Sequence, residues 1–241
     1  MQIGAILHTI AARFLLFIFM CVVIIPVGIM MLLPPRIRFT NKLLYKILYY
    51  FNWAALKATL VPIRYKGLEH IPAHQPVIFA ANHQSSMDIP LMGVLPGGKP
   101  NIWLARSELL KTWLLRFIIE RLTVVVNVNS QASAMGSVRM LVKLVKDTDI
   151  DIMIFPEGQR FTDGDVHEFF GGFVTLAKLL KRPVVPVRIF GANKVYPPET
   201  FLVNYYPVTV VVGEPFVLQE NESENDFKQR VYNWFVAQTE A

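Results

Sequence analysis

Residues 14–33 form a run of twenty uncharged, almost wholly apolar positions, and this run constrains the chain most strongly. A helix rises about 1.5 Å per residue, so this run would span the roughly 30 Å of a bilayer's hydrocarbon core. A signal peptide usually has a shorter apolar core and a small-residue cleavage site, whereas this run ends at Pro34 and Pro35. We therefore expect a retained membrane-embedded segment. Pro26 and Gly28 also permit a re-entrant hairpin, so crossing of the bilayer stays open.

The charges of the chain are distributed unevenly around its net value of +6. Residues 1–68 contain eight Lys or Arg and no Asp or Glu, whereas residues 69–241 contain sixteen basic and eighteen acidic residues. A basic strip gains about 1 kcal/mol per cation at an anionic leaflet, and Lys and Arg beside a span prefer the cytoplasmic side. We expect membrane lipids as partners and the rest of the chain on the cytoplasmic face. No nucleic-acid motif accompanies the basic strip, so no nucleic-acid partner is expected.

Residues 41–60 have the pattern of an amphipathic helix. Three lysines fall within about 60° of one another on such a helix: Lys42, Lys46 and Lys57. Apolar residues centre on the opposite face, and the tyrosines and the tryptophan of the segment suit the level of lipid headgroups. We expect an interfacial helix, with packing against a domain core as the alternative. The chain would then divide into membrane-anchoring helices over 1–62 and a second domain over 63–241.

The second domain alternates between strand-like and helical patterns. Strands are predicted at 63–66, 77–81, 101–105, 123–128, 150–155, 184–190 and 208–213. Helices are predicted at 89–95, 108–120, 132–146, 173–181 and 222–238. This alternation indicates an α/β fold with a central mixed, mostly parallel sheet flanked by helices, preceded by the membrane-embedded and interfacial helices.

A histidine and an aspartate, His83 and Asp88, follow the strand predicted at 77–81. On one continuous helix, residues five apart point about 140° away from each other, so the two side chains meet only if the chain turns between them. A strand, a turn and a helix start would bring them together, with His83 as a general base oriented by Asp88. The alternative is a Ser-x-x-Asp capping box from Ser85 to Asp88, with His83 at a strand end.

A second polar block follows the strand predicted at 150–155, where Pro156 and Gly158 end it. Its turn carries Glu157, Gly158 and Arg160. A carboxylate, exposed backbone N–H groups and a cationic fork on one tight turn can all contact the same ligand.

Together, the Asn82-His83 to Asp88 block and the Phe155-Pro156-Glu157-Gly158 block, about seventy residues later, resemble the glycerolipid acyltransferases. They are most similar to the 1-acyl-sn-glycerol-3-phosphate acyltransferases. The resemblance extends to residues 105–109, 169–173 and 184–187, and covers roughly residues 65 to 215. It implies transfer of a fatty acyl group from acyl-CoA or acyl carrier protein to the free hydroxyl of a lysolipid, without a further cofactor.

The resemblance also implies residue roles. His83 would be the base, and Asp88 would fix its tautomer and stabilise the imidazolium. Glu157 would position the acceptor's glycerol, with bracing of its own turn as the alternative. Backbone N–H groups near Glu157-Gly158 or Gly171-Gly172 would stabilise the oxyanion.

Arg160 would bind an acceptor phosphate. Where the family usually has basic residues, this chain has Asn127-Val128-Asn129 and Phe170-Gly171. A phosphate contact would therefore fall to three arginines: Arg106, Arg121 and Arg160.

The leading hypothesis is a membrane-bound 1-acylglycerol-3-phosphate acyltransferase that produces phosphatidic acid for phospholipid synthesis. An alternative keeps the chemistry on a lyso-aminolipid or a lysophospholipid with a headgroup, and another is a non-catalytic membrane-binding protein. A metal site is not expected, because no second histidine at helix spacing and no cysteine cluster accompanies His83.

Overall fold

The computed structural model describes residues 2–106, 113–126, 131–197 and 202–240. Seven strands are described: β1 Ile63–Lys66, β2 Ile78–Ala81, β3 Asn101–Arg106, β4 Thr123–Val126, β5 Asp151–Ile154, β6 Val184–Phe190 and β7 Val208–Val212. They form one sheet in the order β1-β7-β6-β2-β5-β3-β4. All neighbours run parallel except β6 and β7, which are antiparallel.

The helices lie on both faces of this sheet and at the N-terminus. Their bounds are α1 Gln2–Met31, α2 Pro35–Arg38, α3 Lys42–Ala58, α4 Asp88–Gly93, α5 Trp113–Leu122, α6 Gln131–Val145, α7 Gly172–Leu180, α8 Ala192–Val195 and α9 Glu224–Ala237. The predicted mixed, mostly parallel α/β fold is confirmed. The start of the helix predicted at 108–120 and the end of the strand predicted at 123–128 lie outside the described residues.

The central strands are buried on both faces, which explains why they read as continuous apolar runs. In β2, Ile78 faces one core with α6, α7 and α9, whereas Phe79 faces the other core with α4. Successive side chains of a strand point to opposite faces, so each central strand contributes to both cores.

The apolar N-terminal segment is one continuous helix, α1, which includes Pro26. The structure therefore contains a single helix here and no hairpin. Near its start, Thr9 Oγ1 accepts a hydrogen bond from Val203 N at 2.9 Å, and near its end Met31 packs with Leu44 of α3. Helix α1 is long and apolar enough to cross a membrane, and only 11% of its most apolar window is buried. Many of its large apolar side chains are exposed, including Phe14, Phe17, Val22, Ile25 and Ile29.

Helix α3 is amphipathic, as predicted. Asn41 caps its start by accepting a hydrogen bond from Leu44 N at 3.0 Å. Leu44 and Leu56 are buried against the rest of the molecule, which confirms packing for this face. The three lysines are exposed, as are Tyr50 and Trp53. The interfacial role of this exposed face stays a prediction, and so does the division of the chain at residue 62.

Candidate active site

The candidate site lies where three neighbouring parallel strands, β6, β2 and β5, present their carboxyl ends. Strand β2 ends at Ala81, directly before Asn82 and His83, and β5 ends at Ile154, directly before the Pro156-Glu157-Gly158 turn. Carboxyl ends of parallel strands meet at one edge of the sheet, which is where α/β folds usually bind their ligands. The two polar blocks are therefore adjacent in space although about seventy residues separate them.

His83 and Asp88 form a hydrogen-bonded pair, with 2.8 Å between Nδ1 and Oδ2. Asp88 is the first residue of α4, so the predicted arrangement of strand, turn and helix start is present. The same Oδ2 accepts the backbone N–H groups of Gln84 at 2.6 Å and Ser85 at 2.7 Å. The Ser85 contact is half of the alternative capping box, and Asp88 makes it while also holding the histidine.

The carboxylate of Asp88 determines which nitrogen of His83 carries the proton. Asp88 is fully buried and its ionised carboxylate can only accept, so Nδ1 is the donor and Nε2 keeps its lone pair. Among the described residues no hydrogen bond occupies Nε2. The histidine ring stacks on Phe155 with 4.0 Å between ring centroids and 12° between ring planes, and its side chain is 14% exposed. The ring is therefore fixed in plane, with an accessible base atom.

Two amide side chains fix the backbone on either side of His83. Asn82 pairs with the backbone of Ile189 in both directions, through Nδ2 to O at 3.1 Å and from Ile189 N to Oδ1 at 2.7 Å. Gln84 Nε2 donates to the same carbonyl at 2.6 Å. These contacts continue the pairing of β2 with β6 beyond the strand. They have no local signature in the sequence, because they depend on which strand lies beside β2.

Glu157 is 2% exposed and its carboxylate accepts two backbone N–H groups. Oε2 accepts His83 N at 3.1 Å and Oε1 accepts His167 N at 3.3 Å. Burial raises the pKa of Glu157 to about 7, and the two hydrogen bonds and the charges of His167 and Arg188 oppose that increase. Glu157 thus braces the His83 segment and the 159–168 loop rather than its own turn. Its predicted contact with the acceptor stays a prediction.

Gly158 adopts a left-handed backbone conformation with φ +70°, and a Cβ at this position would lie 2.8 Å from ring carbons of Phe170. Both facts favour glycine here. Gly158 N donates to Phe155 O at 3.0 Å within the turn. This bond engages one N–H of the Glu157-Gly158 turn that was considered for the oxyanion. The other candidate pair, Gly171 and Gly172, lies at the start of α7.

Comparison with known proteins identifies the family. Residues 62–190 match the family model described as Acyltransferase. The chain belongs to the Acyltransferase family.

Its relatives include the 1-acyl-sn-glycerol-3-phosphate acyltransferase of Limnanthes douglasii, 29% identical over 157 residues, which are 62% of this chain and 53% of the relative. The human 1-acyl-sn-glycerol-3-phosphate acyltransferase alpha is 29% identical over 150 residues, 56% of this chain and 51% of that protein. The chain spans about half the length of these curated relatives. The crystal structure of PlsC, the 1-acyl-sn-glycerophosphate acyltransferase of Thermotoga maritima, has the same fold, with a TM-score of 0.75 and 24% identity over 97% of this chain and 94% of that one.

The three arginines predicted to bind a phosphate lie in different places of this acyltransferase fold. Arg160 is exposed and precedes Phe161, whose N–H donates to His83 O at 2.8 Å, so it lies beside the site. Arg106 ends β3, but its side chain lies outside the described residues. Arg121 stacks on Phe117 of its own helix at 3.8 Å, and its carbonyl accepts from Arg38, so its described contacts do not reach His83.

A further cation and a further histidine lie near the site, and the sequence analysis did not assign them a role. Arg188 is buried in β6, and His167 pairs with Asp163 at 2.7 Å while its ring stacks on Phe161. A polar residue inside an otherwise apolar strand was the available signal for Arg188. Within the described part of the chain, no group of three His, Cys, Asp or Glu side chains could hold a metal ion.

Proposed function

We propose that the protein is a membrane-bound acyltransferase that moves a fatty acyl group from an acyl thioester to the free hydroxyl of 1-acyl-sn-glycerol 3-phosphate, giving phosphatidic acid. The observation that carries this proposal is the geometry of His83, whose Nδ1 is held by buried Asp88 while Nε2 remains available. Family membership and the activity for which the relatives are named support this acceptor. Acyl-CoA or acyl carrier protein would supply the acyl group as a substrate.

The chemistry follows from one available base atom. An alcohol with a pKa near ~15 is a poor nucleophile at neutral pH, so His83 Nε2 removes the acceptor's hydroxyl proton as the oxygen attacks the thioester carbonyl. Buried Asp88 stabilises the imidazolium that forms. The tetrahedral intermediate collapses, the C–S bond breaks, and the imidazolium returns its proton to the departing thiolate. Direct transfer of this kind needs no acyl group bound to the enzyme.

Membrane association is part of the proposal. The exposed apolar side chains of α1 would lie among acyl chains, and the exposed lysines of α3 would contact anionic headgroups. The excess of basic residues before residue 69 supports a location on the cytoplasmic face. A lysolipid acceptor would then reach His83 from the bilayer, while a water-soluble thioester approaches from the cytoplasm.

A second acceptor class is supported by the charges around the 159–168 loop. Phe170 is 61% exposed beside Gly158, at the position where the family usually has a cation. The loop carries three exposed or half-buried carboxylates, Asp163, Asp165 and Glu168. Such a surface suits an acceptor with a cationic headgroup, for example a lyso-aminolipid, better than a phosphate dianion.

The decisive experiment measures acyl transfer by the purified protein in lipid vesicles, with lysophosphatidate and with headgroup-bearing lysolipids, and with acyl-CoA and acyl carrier protein as donors. We expect His83→Ala to abolish transfer while the circular dichroism spectrum and the melting temperature stay near those of the wild type. His74→Ala is the matched control, because His74 is exposed and should retain full activity. More than a few per cent of residual activity in His83→Ala would exclude it as the base.

The acceptor is tested by Arg160→Ala. If Arg160 binds the phosphate of lysophosphatidate, losing a charge-assisted contact of ~1.5–3 kcal/mol should raise the KM about tenfold or more. The KM for an acceptor without a phosphate monoester should not change. Equal effects on both acceptors would mean that Arg160 stabilises its turn and that lysophosphatidate is not the preferred acceptor.

A further inference from the structure

Arg188 in β6 is a buried cation that the proposed chemistry does not use. It is 6% exposed, and its Nη2 donates to Gly164 O at 2.9 Å. Its Nε and Nη1 are buried and have no hydrogen-bond partner among the described residues. The guanidinium also lies over the Phe190 ring, 4.8 Å from its centroid. A buried cation with two unbonded nitrogens remains costly, and a nearby negative charge lowers that cost.

The negative charge with the largest effect on Arg188 is that of Glu157. Burial lowers the pKa of Arg188, and the charges of Glu157, then Asp165 and Glu240, raise it. The attraction is mutual, because the charge of Arg188 also lowers the pKa of Glu157 against the effect of burial. The two side chains share no hydrogen bond among the described contacts, but both are buried and both bind the backbone of the 159–168 loop, Arg188 at Gly164 O and Glu157 at His167 N. Their charges therefore interact in a part of the protein where screening by salt and water is weak.

The charge of Glu157 matters because both of its oxygens act as acceptors. One takes the N–H of His83 and the other takes the N–H of His167, at 3.1 Å and 3.3 Å. A protonated carboxyl group turns one of these oxygens into an O–H donor, which would face an N–H donor. The ionised form therefore holds both segments more strongly than the protonated form, because charged acceptors make the stronger hydrogen bonds.

We propose that Arg188 is a positioning residue for the proposed reaction, in which His83 is the base: its charge keeps Glu157 ionised, and ionised Glu157 holds the His83 backbone. That backbone is also fixed by Phe161 N, which donates to His83 O at 2.8 Å. With both groups held, the His83 ring stays on Asp88 and against Phe155. Arg188 acts through Glu157 and does not touch the reacting atoms.

The direction of the effect on pH dependence follows from the charges. Burial raises the pKa of Glu157 to about 7, so the ionised fraction changes within the working pH range. Removing Arg188 removes an attraction that lowers this pKa, so a higher pH is needed to ionise Glu157. The other titratable or charged residues near Glu157 are His83, His167 with its partner Asp163, and exposed Arg160, and none of them changes in an Arg188 variant.

The first test is the pH profile of kcat for the full-length protein in vesicles. We expect Arg188→Met to move the acidic limb to higher pH by about one pH unit, which is a roughly fivefold loss at pH 7. Arg188→Lys keeps the positive charge, so its acidic limb should lie close to the pH of the wild-type limb. Arg182→Met is the matched control, because Arg182 is equally buried but donates to Ile150 O and Thr148 O at the opposite edge of the sheet.

A double-variant comparison separates an effect through Glu157 from a direct effect on His83. In a Glu157→Gln background, Arg188→Met should leave the limb where it is, because the group on which Arg188 acts is gone. If the same shift persists without Glu157, Arg188 acts on His83 directly and the proposal is overturned. If Arg188→Met does not fold, Arg188→Gln is compared with Arg188→Lys in the same way.

A second readout does not depend on activity, so it separates this proposal from the proposed function. Selective ¹⁵N labelling of the five histidines gives five backbone amide signals to follow with pH. The signals of His83 and His167 should share a titration that disappears in Glu157→Gln, and its midpoint should rise in Arg188→Met. A midpoint unaffected by Arg188→Met, or no shared titration, overturns the proposal even if acyl transfer is confirmed. If the protein transfers no acyl group but the shared titration shifts, only the proposed function fails.

Discussion

Replacing Asp88 with asparagine tests how His83, the proposed base, is oriented. The oxygen Oδ2 accepts three N–H groups, from His83 Nδ1, Gln84 and Ser85, at 2.8, 2.6 and 2.7 Å. An asparagine oxygen must face the same two backbone donors, because its amide nitrogen cannot accept them. The same oxygen then still faces Nδ1, so the tautomer of His83 is retained while the negative charge is lost.

The size of the effect follows from these contacts. A hydrogen bond to a charged group contributes about 1.5–3 kcal/mol and a neutral one about 0.5–1.5 kcal/mol. The imidazolium loses its charged partner, so kcat should fall roughly 10- to 100-fold, about 1.4 kcal/mol per factor of ten. Three weakened bonds reduce stability, but a neutral amide is less costly to bury than a carboxylate. We expect the free energy of unfolding to fall by about 1–2 kcal/mol.

The measurements are kcat at saturating acceptor and denaturant unfolding, for Asp88→Asn alone and combined with His83→Ala. Because Asp88 acts through His83, the second change should cause no further loss of activity once the histidine is absent. A further loss of similar size in the His83→Ala background would refute the orienting role. A loss in Asp88→Asn as complete as that in His83→Ala would refute the retained tautomer.

Three further predictions follow from the same structure. The free energy of unfolding of Glu157→Gln minus that of the wild type should rise by about 3 kcal/mol as the pH rises from 5 to 8. Burial raises the pKa of Glu157 from 4.5 to about 7, so ionisation in this range destabilises the folded wild type, whereas Gln does not ionise. A difference in urea unfolding that does not change with pH contradicts this. Gly158→Ala should lower the melting temperature and kcat. Adding Phe170→Ala to this variant should recover the part of the loss that the contact with the Phe170 ring causes. If neither quantity recovers, the loss comes from backbone strain at residue 158 alone. Deleting residues 1–37 should weaken flotation with anionic liposomes without abolishing it, because the lysines of α3 remain exposed; binding that ignores lipid charge and salt refutes the electrostatic contribution.

The fold class and the His83–Asp88 pair could both be predicted from the sequence, because each depends on neighbours along the chain. Strands such as β2 and β5, buried on both faces, leave uninterrupted apolar runs between helical periods. The His83–Asp88 contact spans five residues, so a turn between a strand end and a helix start is enough to form it. A continuous α1 was not distinguishable from a hairpin, because Pro26 is compatible with both within apolar surroundings.

The roles of Glu157 and Arg188 depend on contacts that cross the sheet. Glu157 was expected to face the acceptor or its own turn, yet its carboxylate holds the backbone of His83, 74 residues away. Asn82 is tied to Ile189, 107 residues away. Neither contact has a local signature, since each requires β5 and β6 to lie on either side of β2.

The sequence by itself determined the elements of this protein and the pair of proposed catalytic side chains that a short turn brings together. The order of the strands was decided only in the tertiary structure, where packing of both cores selects which carboxyl ends meet. That order places the buried carboxylate that follows β5 against the backbone of the histidine that follows β2, and places a buried guanidinium in the neighbouring strand β6. The physical reason is that backbone geometry acts over a few residues, whereas strand order minimises the exposed apolar surface of the whole domain.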